Sequence, residues 1–173
     1  MPLSKNIPVD RIQDDAVKDA FRYLAKLLED LENRLPTVEY VDWTPRLAFG
    51  GSSTGITYVA GLAGQAGTCI VIDRKIQILV GTLVLTSKGA QVGNATIEDV
   101  PYTWLTDNRG LSIGTLRIVT ITYLSYPTLR TVANAKQLAF QQTTEAGVAS
   151  SLTDTNFANT SNVIFSMIGR IAP

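Results

Sequence analysis

The chain has 173 residues, with 15 Lys and Arg against 15 Asp and Glu, no histidine and one cysteine. Charged residues make up only 17%, against a usual share of about 25%, which predicts surface hidden in subunit contacts; the zero net charge, with no basic run longer than a pair, excludes the basic stripe that nucleic-acid phosphates need. Without imidazoles there are no Ser-His-Asp or Cys-His triads and no Cys/His zinc sites, so neither a metal nor a cofactor is expected.

The opening MPLSKNIPVDRIQDD lacks the apolar stretch of a signal peptide, and no run in the chain reaches the roughly 18 apolar residues of a membrane helix. Synthesis in a cytoplasm, without membrane insertion, is the expectation. Residues 10–35 then carry one helical pattern. Val17, Phe21, Leu24, Leu28, Leu31 and Leu35 alternate in steps of four and three, the repeat of a coiled-coil seam, with Lys18, Arg22, Lys26, Glu29, Asp30 and Glu32 around them. Asp10 and Gln13 read as a capping pair, Asp14, Asp15 and Asp19 suit the positive end of the helix dipole, and Pro36 ends the element. A leading helix with no second helix to pack on favours self-association over packing on its own domain. A leucine seam specifies the number of strands poorly.

From Val38 onward the period switches to two. VEYVDWTPRLAF and GITYVAG read as short strands broken at Pro45 and at GGSSTG, and CIVIDRKIQILVGTLVLTSKG reads as two strands, or one long bent strand, hinged near Asp73 and Arg74. Cys69 falls in an apolar run and reads as a buried core thiol. Ile76, Ile78, Val80, Thr82 and Val84 share one face of the second strand, opposite Leu79, Leu83 and Leu85. Both faces are therefore expected to be covered, one by a partner sheet and the other by another subunit. LVLTSKGAQVGNATIEDVPY reads as a β-hairpin, with Gly89 and Gly93 supplying positive φ and Pro101 ending the pairing. Further strands are expected at NATIEDV, GTLRIVTITYL, TVANAKQLAFQQ and SNVIFSMIGRIA, joined by LTDNRG, SYPTLR and TTEAGVASSLTDTN. Some eight strands with Gly, Asn and Ser turns predict a mostly β fold, a β-sandwich or jelly-roll-like head over 37–173, preceded by a single helix.

Several of these segments together resemble a β-domain recurrent in the virion surface proteins of tailed bacteriophages. The matching positions are Trp43, Thr44, Pro45, Phe49, Gly50, Gly51, Gly55, Ile56, Thr57 and Tyr58, followed by Leu85, Thr86, Ser87, Lys88, Gly89, Gly93, Asn94, Ala95, Ile97, Pro101 and Tyr102. Asp99-Val100 stands where the pattern commonly has Gly-Leu. The resemblance covers about a third of the chain. It implies a homotrimeric tail fibre, head fibre, capsid decoration or spike, displayed for host attachment or particle stabilisation. Residues 1–9 would then anchor it to other virion proteins of capsid or tail, residues 10–35 would form the stem, and the trimerisation seam would be the six residues from Val17 to Leu35. The alternative is a stand-alone carbohydrate-binding module.

Candidate glycan contacts lie in PYTWLTDNRG, where Tyr102 and Trp104 neighbour Asp107, Asn108 and Arg109, an aromatic platform beside polar groups of the kind that sugar stacking requires. The same residues also read as core or interface aromatics followed by a turn. Hydrolysis of a polysaccharide would need two carboxyls about 5 to 9.5 Å apart, for which Glu39 with Asp42, or Glu98 with Asp99, are the nominees. Adjacent Glu98 and Asp99 would point to opposite faces of a strand, and a chain of this length offers little groove, so no enzyme activity is expected.

Overall fold

The computed structural model describes residues 15–105 and 113–172. Contacts divide the chain at Thr37/Val38 into two compact units. The first contains α1 (Asp15–Arg34), a 20-residue helix whose exposed flanks carry the ion pairs Lys18–Asp15 (3.1 Å), Arg22–Asp19 (3.2 Å) and Arg34–Asp30 (2.9 Å). The Leu35 N–H donates to the Leu31 carbonyl (3.1 Å), closing the last turn just ahead of Pro36, which has no N–H to continue it. The expected caps Asp10, Gln13 and Asp14, and the leading residues 1–9, lie outside the described residues. No described helix is long and apolar enough to cross a membrane.

The second unit is mostly β. Its strands are β1 (Val38–Trp43), β2 (Arg46–Phe49), β3 (Ile56–Tyr58), β4 (Gln65–Ile72), β5 (Ile76–Lys88), β6 (Ala95–Glu98), β7 (Ile113–Ile121), β8 (Tyr126–Thr131), β9 (Leu138–Thr143), β10 (Ala149–Ser151) and β11 (Phe157–Arg170). Two antiparallel sheets result. One has the order β1-β4-β5-β11-β7 with β3 pairing the end of β5; the other has β10-β9-β6-β2 with β8 pairing β9. Their facing sides form one core in which Leu47, Leu79, Leu83, Ile97, Leu138 and Phe140 are wholly buried, as a sandwich requires. Edge-to-face ring pairs knit it: Trp43 with Phe165 (6.3 Å), and Phe157 with both Phe49 (5.2 Å) and Phe140 (5.5 Å).

Most expected strands are present, including the break at Pro45 and the hinge at Asp73-Arg74, where both residues have positive φ (51° and 52°). Four expectations change. TVANAKQLAFQQ is not one strand, because its first residue ends β8 and a turn closed by the Val132 N–H to the Gln137 carbonyl precedes β9. SYPTLR is a strand rather than a connection, because Pro127 lies in β8, which among the described residues pairs with β9 alone, so no described ladder needs its missing N–H on the other side. The TTEAGVASSLTDTN connection contains β10 and a 3-10 turn at Asp154–Asn156. And residues 83–102 are not a hairpin: β5 belongs to one sheet and β6 to the other, so the stretch crosses the sandwich.

Candidate functional site

Regular seam spacing in α1 puts apolar side chains on one stripe. Leu24, Leu31 and Leu35 are 52%, 56% and 60% exposed, Val17 and Phe21 are also exposed, and Leu28 is half-buried. Leu27 and Tyr23 widen the exposed apolar surface beside it. A leucine stripe in water gains about 1.5 to 3 kcal/mol for each side chain fully buried, so this helix has a strong driving force to meet another apolar surface.

In the second unit, several of the residues that carry the resemblance, among them Gly50, Thr57, Tyr58, Thr86, Lys88 and Gly93, make contacts where the chain crosses between sheets. Gly50 (φ 58°) and Gly93 (φ 127°) touch back to back: a Cβ on Gly93 would lie 2.9 Å from the Gly50 Cα, and one on Gly50 would lie 2.5 Å from the Val92 carbonyl oxygen. Only glycine combines those dihedrals with that approach. The Gly50 N–H donates to the Asn94 carbonyl (3.0 Å) across the contact. Thr57 and Thr86 hydroxyls share a hydrogen bond (2.8 Å), the Tyr58 hydroxyl accepts from the Leu47 N–H (2.9 Å), and Lys88 Nζ donates to the Asp154 carbonyl (2.9 Å). Asp154 in turn accepts from the Gly93 N–H (2.9 Å). Thus the motif is a latch that ties β2, β3, β5 and the start of β6 together. The contacts these residues make hold the backbone of the crossing in place.

Of the expected sugar platform, Tyr102 and Trp104 are among the described residues. Trp104 is wholly buried, its ring pressed against the backbone at Gly169, where a Cβ would come within 2.6 Å of Cζ3, and it bridges to Ile171. It is a core residue in this fold and not a surface on which a sugar can stack. Its Nε1 has no hydrogen-bond partner. Tyr102 is half-buried; its carbonyl accepts from the wholly buried Gln77 Nε2 (3.0 Å), and its hydroxyl is pushed above the usual phenol range by desolvation and the Glu39 carboxylate. Asp107, Asn108 and Arg109 lie outside the described residues.

The nominated carboxylate pairs fare differently from each other. Glu39 and Asp42 lie an odd number of residues apart on β1 and so face opposite sides of the sheet. Glu98 and Asp99, expected to diverge, instead converge on Arg46, which is 3.4 Å from Glu98 and 3.0 Å from Asp99. The reason is that β6 ends at Glu98 and Asp99 takes a positive φ of 61°, which breaks the strand alternation. Cys69 is wholly buried, and burial, reinforced by Glu39, pushes its thiol up to about 11.

One feature escaped sequence reasoning. An open groove of about 680 Å³ lies beside the start of β4, lined by polar Asp42, Thr44, Gln65, Thr68 and Thr82, together with Trp43 and the exposed Leu62. Gly67 and Gly81 pair side by side in its floor, and on the core side the space they leave is filled by the rings of Trp43 and Phe165.

No protein-family model matches the chain, and no curated protein matches it. Among solved structures, the crystal structure of the Dettilon tailspike protein is similar, with a TM-score of 0.63 at 17% identity, over 78% of this chain and 24% of that one. At this identity the likeness is one of fold, and the chain spans about a quarter of the tailspike's length.

Proposed function

We propose that this chain is a structural protein of a bacteriophage virion surface, a homotrimeric spike or fibre with a coiled-coil stem and a β-sandwich head. The observation that carries the reading is the fold shared with a phage tailspike over 78% of the chain. The exposed heptad seam of α1 supports self-association, since Leu24, Leu31 and Leu35 would otherwise stay in water. The three-strand number comes from the phage-domain resemblance. In this reading residues 1–9 join the molecule to other capsid or tail proteins, and the head is displayed outward, toward a bacterial surface glycan or simply to stabilise the particle. It acts without catalysis, metal or cofactor. The stand-alone carbohydrate-binding reading is weaker, because Trp104 is buried.

Light scattering after size exclusion tests the proposal. The expected mass is three times the chain mass of 18.7 kDa. Leu24→Asp combined with Leu28→Asp should reduce it to a single chain, since two carboxylates on the stripe would have to be desolvated in the assembled stem. An unchanged mass in that variant would refute the stem.

A further inference from the structure

Among the described residues of the second unit, the smaller sheet covers one side of the larger. On the other side, register lines up apolar rows across the strands. Tyr40, Ile70, Ile78 and Ile168 form one row; Val38, Ile72 and Ile76 form the next. Tyr40 is 72% exposed, Val38 50% and Val80, near the middle of the face, 49%. Charge is confined to the margin: Asp42 on edge strand β1, Arg117 on edge strand β7, and Arg170 near the end of β11. These apolar rows occupy one end of the face, and the next row reads Asp42, Thr68, Val80, Ser166 and Thr115, so an apolar strip lies beside a polar border, the mixed composition of a protein interface.

Size points the same way. Five strands about 4.8 Å apart and about eight residues long, each rising about 3.4 Å, span a footprint of roughly 650 Å². That area, apolar strip and polar border together, is close to the about 800 Å² each partner contributes to a standard interface. We infer that this outer face, centred on Val80 and Ile78, is where the head packs against a second copy of the same chain.

Two observations select a second copy as occupant. Asp42 and Arg117 sit on opposite edges of the face, both exposed and neither paired among the described residues. In a cyclic assembly one copy's β1 edge meets the next copy's β7 edge, which brings these opposite charges together. In addition, only residues 35–37 separate α1 from β1, so copies joined along α1 hold their β1 strands at high effective concentration. The inference rests on the self-association proposed above and assigns it a second surface.

Maleimide labelling of the full chain, read by mass spectrometry, tests it. Val80→Cys is compared with Val148→Cys, a 62% exposed position on the smaller sheet's side, while the native Cys69 is buried in both. In protein that light scattering shows to be assembled, the Val80 variant should react at least tenfold more slowly than the Val148 variant. Equal rates in assembled protein would overturn the packing of this face and leave the stem standing. Slow labelling at a mass of one chain would mean that the chain's own residues cover the face, and would also overturn it. Rapid labelling of both variants at a mass of one chain would refute the stem and the face together.

Discussion

Trp104 decides between two accounts of the aromatic pair near residue 102, and replacing it separates them by stability. The side chain is wholly buried, packs on the backbone of Gly169 and bridges to Ile171, so Trp104→Ala removes a large ring from a closed site. Emptying such a site costs about 3 to 5 kcal/mol. For a chain of this length each kcal/mol moves the midpoint by about 2 to 4 °C, so Tm should fall by roughly 6 to 20 °C. Trp104→Phe should cost far less, because it keeps most of the ring and removes an Nε1–H that has no partner. Thermal and urea unfolding, at one fixed protein concentration because assembly couples to stability, measures both variants. A loss below about 1 kcal/mol for Trp104→Ala would refute core placement and return the ring to the surface as a sugar platform.

Three more outcomes follow from the core and the latch. Gly81→Ala should destabilise by about 1 to 3 kcal/mol, since the new Cβ would lie 2.6 Å from Phe165 Cε1, and Phe165→Leu in the same chain should restore part of the loss; strictly additive effects in a double-mutant cycle would contradict the contact. Tyr58→Phe removes the acceptor for the Leu47 N–H and should cost about 1 to 3 kcal/mol in urea unfolding, whereas an unchanged midpoint would mean that this N–H is satisfied elsewhere. Because the folded Cys69 thiol titrates at about 11, above its ordinary 9.0, the folded state holds its proton where the unfolded chain has lost it, so stability present below pH 9 is lost as pH rises toward 11. Cys69→Ala should flatten the alkaline limb of a stability profile, and an identical slope would show that other groups produce it.

The sequence by itself determined what depends on neighbours a few residues away. The seam from Val17 to Leu35 and the stop at Pro36 are local periodicity and backbone chemistry, and α1 follows them. Strand alternation likewise predicted the two faces of β5, with Leu79, Leu83 and Leu85 inward and Val80 outward. It also placed Cys69 in the core. Pairing partners are another matter, because they are chosen by contacts between residues far apart in the chain. Residues 157–170 lie between β5 and β7, and no local pattern announces that. The same holds for residues 83–102, whose turns look like those of a hairpin yet carry the chain from one sheet to the other. The apolar stripe of α1 was legible, while the placement of Trp104 was not: a Trp beside polar residues reads alike on a surface or in a core until Gly169 and Ile171 close over it. The apolar rows on the outer face needed both levels, since alternation supplied the residues and only the register of four strands aligned them into a surface.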